Sequence, residues 1–331
     1  MTVYQGDFAR AARALGAPGA DLTSELGGIE KLCAEFDVRE ARMQWFEEVR
    51  LAVDIRELCG RLSALLTGSG AAAVDPALDV RSRALLSGLA RLHRGLAERA
   101  APVHACERAR LRGGGFRGAE LLSWLATHPA TLRDLAFENL LGIAHPPMGT
   151  VNPHSELIDY VPGGIASIVR CVLAGPITSE DEFLDVGAGV GKALLAVKLL
   201  SGARVRGIEI QPDLCTQARG VAADLGLDGF EVVEGDACEI DLGEPSVIFL
   251  YLPFTGRVLA WMIDRLRALA ARKQVVLCTL GFDLPFDWLV PRRKADFWLT
   301  IYDSQVPGAE PRPPRQATPL GPVAEQVADE R

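Results

Sequence analysis

The chain has 331 residues, 49% of them hydrophobic and 24% charged, with a formal net charge of −8 and a pI near 5.3. This is enough apolar material to bury one α/β domain and a smaller companion, and the acidic balance supplies no global positive field to gather duplex nucleic acid. The seven cysteines, at 33, 59, 106, 171, 215, 238 and 278, are odd in number and lack a Cys-x-x-Cys pair, so they read as reduced, mostly buried thiols with no metal centre.

In chain order the first pattern is helical. Residues 37–66 carry Met43, Phe46, Val49, Leu51, Val53, Leu58, Leu62 and Leu65 at helical intervals, and Gly68 with Gly70 stops them. A second long helix starts after Asp75-Pro76, runs through Leu85, Leu89, Leu92 and Leu96, and ends toward Gly113, Gly114 and Gly115. Shorter helices follow over 117–127 and 130–142. Residues 1–145 are therefore expected to form an all-helical domain, a bundle that caps a cofactor, shapes an acceptor pocket or offers a homodimer surface. Arg108, Arg110, Arg112 and Arg117 read as cations suited to a helix C-terminus.

Pro146, Pro147 and Pro153 mark a boundary. Over 146–305, strand and helix signals alternate: a helix over 163–174, short apolar strands ending near 185, 210 and 234, an almost wholly apolar strand over 246–252, a helix over 256–272, a strand over 274–280, and a closing antiparallel pair over 288–290 and 297–303. This alternation predicts an α/β fold with a mainly parallel sheet and helices on both faces. Residues 306–331 hold prolines 307, 311, 313, 314, 319 and 322 and few large apolar side chains, which predicts a disordered tail. No stretch approaches roughly 18 uninterrupted apolar residues and no basic-then-apolar leader is visible, so a soluble, cytoplasmic protein without a membrane partner is expected.

The most informative stretch is 183–192, Phe-Leu-Asp-Val-Gly-Ala-Gly-Val-Gly-Lys. Asp185 lies at a strand end, and Gly187, Gly189 and Gly191 allow a backbone to approach a ligand where a Cβ would intrude. A dinucleotide fingerprint needs Gly-x-Gly-x-x-Gly so that a helix N-terminus faces a pyrophosphate. Here the third glycine comes one residue early and Lys192 takes its place, which disfavours a nicotinamide oxidoreductase. Glu209 ends the second strand 18 residues past Gly191, where a carboxylate can accept hydrogen bonds from both hydroxyls of a ribose. Asp236 and Ala237 follow the third strand.

The glycine run resembles the first motif of class I S-adenosylmethionine (SAM)-dependent methyltransferases. The resemblance implies a Rossmann-like, seven-stranded sheet, SAM as cofactor, and a site drawn from Tyr160, Asp185, Gly187, Ala188, Gly189, Gly191, Glu209, Ile210, Asp236, Ala237 and Leu252, with Asp236 at the adenine. Over 160–303 the order of features is similar to that of the Dot1-type, non-SET lysine methyltransferases. That likeness rests on Tyr160, the glycine run, Gly207-Ile208-Glu209 and Ser246-Val247-Ile248-Phe249. It covers under half of the chain. The Asn-rich segment of that family is Tyr251-Leu252 here, and its Gly-Glu after the tyrosine is Val161-Pro162.

Methyl transfer is an in-line displacement, so catalysis is chiefly positioning, with a base needed only for a protonated nucleophile. Methyltransferases acting on nucleobase or glutamine nitrogens place Asn/Asp-Pro-Pro-aromatic after the fourth strand. This chain has Tyr251-Leu252-Pro253-Phe254, leaving Tyr251 as the polar candidate. Of the residues around the linker, His145, His154, Glu156 and Asp159, His154 is the expected proton acceptor, since imidazole titrates near neutrality. The expected activity is SAM-dependent methylation of an oxygen or nitrogen of a small metabolite. Lysine methylation of Dot1 type, or SAM binding without catalysis in a scaffolding partner, are the alternatives.

Overall fold

A computed structural model describes residues 7–15, 21–35, 76–143, 163–251, 254–294, 298–305 and 322–328, with positions 47, 51, 54, 55, 58 and 62 besides. The chain divides into two compact units, one of residues 1–105 with 145–151, the other of 106–144 with 152–331.

The first unit is helical among its described residues: α1 (Asp7–Ala14), α2 (Leu22–Glu35) and α3 (Pro76–Ala100), which ends in a 3-10 turn, Ala101–His104. The sequence pattern does not mark α1 or α2. The predicted helix over 37–66 lies largely outside the described residues, although Leu51, Ile55, Leu58 and Leu62 are helical and buried. They share a core with Phe8, Leu26, Ile29, Leu85, Leu89 and Leu96, the last three recurring at helical spacing along α3. Arg81 grips Glu30 through two bonds of 2.6 Å, and its guanidinium holds that carboxyl below the ordinary carboxylate range.

The second unit opens with α4 (Ala105–Arg112), α5 (Ala119–Ala126), α6 (Arg133–Leu141) and α7 (Ile165–Ala174). Then come β1 (Glu182–Val186), α8 (Lys192–Ser201), β2 (Arg204–Glu209), α9 (Pro212–Asp224), β3 (Phe230–Glu234), β4 (Val247–Leu250), α10 (Gly256–Ala270), β5 (Val276–Leu280), β6 (Leu289–Lys294) and β7 (Leu299–Ser304). The seven strands lie in the order β3-β2-β1-β4-β5-β7-β6, all parallel but for β7, which runs antiparallel to both neighbours. The central strands β4 and β5 are buried at every position, as apolar runs covered on both faces must be. Side chains alternate across the pleat: Phe183 and Phe249 enter the layer holding α5 to α9, while Leu184, Ile248 and Leu250 enter the layer holding α10. Arg108 and Arg112 do not merely decorate the end of α4. Both bind Asp224, at 2.8 and 2.6 Å, joining that end to α9.

One expectation is corrected. The tail over 306–331 was predicted to be disordered, yet α11 (Pro322–Ala328) is formed and docks against α5 and α7. Ala324, Val327 and Ala328 are buried there. Arg133 donates to the carbonyls of Gln326 and Val327 at 3.0 and 3.1 Å, satisfying the open end of the helix. Composition underrates this segment because its small side chains gain burial by close approach rather than by size. Residues 306–321 lie outside the described residues.

Candidate active site

The site is assembled where β1, β2, β3 and β4 end side by side. Beyond Val186 the chain folds back over β2: the N–H groups of Gly187 and Ala188 both donate to the carbonyl of Ile208, at 2.9 and 3.0 Å. Gly187, Gly189 and Gly191 hold φ of +82°, +56° and +75°, a left-handed path that side chains with a Cβ resist. The third glycine has a further duty. A Cβ on Gly191 would stand 3.0 Å from Ala218 Cβ and 3.4 Å from Phe230 Cζ, so this residue admits α9 and β3 against the loop. Gly207 does the same from β2, where a Cβ would meet Ala188 Cβ and Leu194 Cδ1 at 2.6 Å.

Glu209 closes the loop. Its Oε2 accepts from the N–H of Gly189 at 2.8 Å and its Oε1 from the N–H of Gln211 at 2.9 Å, with only 6% of the residue exposed. Burial pushes its carboxyl up, opposed by these bonds and one from Ile210 N–H. Asp185, 4% exposed, has no such relief: burial, and then the charge of Glu209, push it up to about 8. At about 8, the Asp185 carboxyl favours its protonated form at neutral pH. Asp236 follows β3, half-buried, and accepts from the N–H of Cys238 at 2.8 Å. Arg265 of α10 fixes the same turn by donating to the carbonyls of Ala237, Cys238 and Ile240.

Tyr251 stands half-buried past the end of β4. Its ring lies against two glycines: a Cβ on Gly163 would stand 3.6 Å from Tyr251 Cδ1, and one on Gly281 3.9 Å from Cε2. Burial raises its phenol, and the charge of Lys192 pulls it back in part. Thus Asp185, Gly187, Ala188, Gly189, Gly191, Glu209, Ile210, Asp236, Ala237 and Tyr251 stand at adjoining strand ends. His154, Tyr160 and Leu252 lie outside the described residues.

An ionic cluster at the same end has no counterpart in the sequence expectations. Lys192, the first residue of α8, is 4% exposed and donates to Asp134 at 2.5 Å and to Glu138 at 2.6 Å. Asp134 also accepts from the N–H of Ile165, at 2.7 Å. Asp134 and Glu138 are four apart on α6, so they share a face. That spacing was the available signal.

The residues present suit SAM. Each Glu209 oxygen has taken one N–H and retains a lone pair for a ribose hydroxyl. The one cation at the loop among the described residues, Lys192, is already neutralised by two carboxylates, so the loop offers no charge partner to a pyrophosphate. Strand order, loop and paired acids define a class I methyltransferase fold, and the protein is a SAM-dependent methyltransferase. Residues 184–279 match the family model described as a methyltransferase domain, a stretch from β1 to β5. Among solved structures, the chain is similar to an RNA methyltransferase from Salinibacter ruber in complex with S-adenosyl-L-homocysteine, at 28% identity over 47% of this chain and 100% of that one, with a TM-score of 0.38. It is also similar to a SAM-dependent methyltransferase from Aquifex aeolicus, at 15% identity over 43% and 98% of the two chains, TM-score 0.33. A dimethyladenosine transferase from Plasmodium falciparum shares 23% identity over 36% of this chain and 42% of its own, TM-score 0.30. No curated protein matches the sequence. Among the described residues no helix is long and apolar enough to cross a membrane.

Proposed function

We propose that the enzyme methylates an oxygen or nitrogen of a small metabolite bound beside Tyr251. The observation that carries this is the residue at the end of β4: a half-buried phenol packed between Gly163 and Gly281, where enzymes of planar amides and nucleobases carry an Asn or Asp. The cofactor supplies a methyl group made electrophilic by its sulfonium. The work of this chain is to hold the loop rigid, keep the site dry and present the acceptor's lone pair in line, an effect worth roughly 7–11 kcal/mol at best. The Tyr251 hydroxyl can orient the acceptor by donating or accepting one hydrogen bond, and His154 is the proposed acceptor of a proton released on transfer. The helical residues before 145 are proposed to shape the acceptor pocket or join two copies of the chain.

The experiment is mass spectrometry of a metabolite extract incubated with enzyme and SAM, reading the mass gain of one methylene. A methylated metabolite, absent with Tyr251→Phe at early times, is the expected result. The likeness of 160–303 to Dot1-type enzymes makes lysine the competing acceptor. Robust methylation of histones with none of any metabolite overturns the small-molecule reading.

A further inference from the structure

Residues 236–240, just past β3, make one helix-like turn and then leave it. The N–H groups of Glu239 and Ile240 both donate to the carbonyl of Asp236 at 2.9 Å, while the Asp236 carboxyl takes the N–H of Cys238 at 2.8 Å. The carbonyls that follow would be left open, as at the end of any helix. One guanidinium from a distant helix meets three of them. Arg265 of α10 donates from Nη1 to Ala237 at 2.6 Å and to Cys238 at 3.2 Å, and from Nη2 to Ile240 at 2.8 Å. The same guanidinium stacks on Trp261, one turn earlier on α10, its carbon 4.9 Å from the ring centre. The turn is also joined to the acid that ends β2. Gly235 N–H donates to the Glu209 carbonyl at 2.9 Å, and Ile240 packs so closely that a Cβ on Gly235 would stand 2.9 Å from its Cδ1.

We propose that Arg265 is a positioning residue for the adenine of the cofactor. By tying three carbonyls of the 236–240 turn to α10, it fixes the Asp236 carboxyl where it accepts from the purine 6-amino group, and so makes the site selective for adenine. The inference rests on Asp236 meeting the adenine. A carboxyl that accepts one N–H retains lone pairs for a ligand, but a lone pair discriminates between ligands only when it is held in place. Arginine suits this task better than lysine, because its planar fork holds several acceptors at fixed angles.

The test is calorimetry on the full-length protein with two probes, S-adenosylhomocysteine and its analogue carrying hydrogen in place of the purine 6-amino group. The wild type should bind the analogue at least about tenfold more weakly, the contribution of one hydrogen bond to a carboxylate. Arg265→Ala should erase most of that ratio, and Arg265→Lys, which keeps the charge but not the fork, should fall between. Asp236→Ala should abolish the ratio, and adding Arg265→Ala to it should change the ratio no further. A merely structural arginine would weaken both probes by the same factor and leave their ratio at the wild-type value. That result in a folded Arg265→Ala protein, or in Arg265→Lys if the alanine variant does not fold, overturns the proposal. A ratio lost in Asp236→Ala but kept in Arg265→Ala overturns it while sparing the place of Asp236. Equal binding of both probes by the wild type removes Asp236 from the adenine and the proposal with it. No methyl acceptor enters the assay, so its outcome is independent of the search for a metabolite substrate.

Discussion

Asp185→Asn should remove a loss of stability that the free wild-type protein suffers as pH rises from about 4 toward 8. In the unfolded chain Asp185 titrates near 3.8, and in the fold at about 8. Between these values the folded protein binds a proton that the unfolded chain has released, so wild-type stability falls as pH rises. Each unit of separation is worth about 1.4 kcal/mol. At pH 7 the cost is therefore on the order of 4 kcal/mol, and near pH 4 it is less than about 1 kcal/mol. Asparagine has no proton to hold. Its amide adds an offset of roughly 1–3 kcal/mol if a donor is left unpaired, but that offset does not depend on pH. The assay is urea unfolding of both proteins at several pH values from 4.5 to 8, comparing their difference at each. Other groups titrate alike in both proteins and cancel. The variant should gain steadily on the wild type as pH rises. A difference constant across the range would refute the assignment of a neutral, buried Asp185.

Glu209→Ala should weaken SAM binding at least tenfold, since it removes the acceptor of two charge-assisted hydrogen bonds of roughly 1.5–3 kcal/mol each. It also strands the N–H groups of Gly189 and Gln211; titration calorimetry giving wild-type affinity would sink the ribose assignment, and Glu209→Gln, with one acceptor oxygen left, should fall between. Gly207→Ala should cost about 1–3 kcal/mol by overpacking, because the new methyl lands 2.6 Å from two carbons, and a thermal melt unchanged from the wild type would contradict that contact. Ending the chain at residue 321 removes the buried Ala324, Val327 and Ala328, and the lost burial should lower stability by on the order of 2–4 kcal/mol. An undiminished melting temperature would show that α11 adds nothing to the fold.

The cofactor loop and its strand were legible in the linear order of residues, because their requirements are local. An apolar strand, an acid at its end and glycines at left-handed φ values that other residues rarely adopt must be contiguous, and the same holds for Glu209 and Asp236 at neighbouring strand ends. The helical period of 76–96 was equally plain. What escaped was everything set by contacts between residues far apart in the chain. Lys192 meets Asp134 and Glu138 across 58 and 54 positions, and no periodicity records such a pairing. Gly191 reads as an opening for a ligand, yet the crowding that forbids a Cβ there comes from Ala218 and Phe230. The tail reads as too polar to fold, because composition counts large side chains and not the fit of two alanines and a valine on α5 and α7. The charge state of Asp185 is likewise a tertiary property: the residue is the same in any chain, but desolvation by the surrounding layers and the field of Glu209 decide whether it keeps its proton.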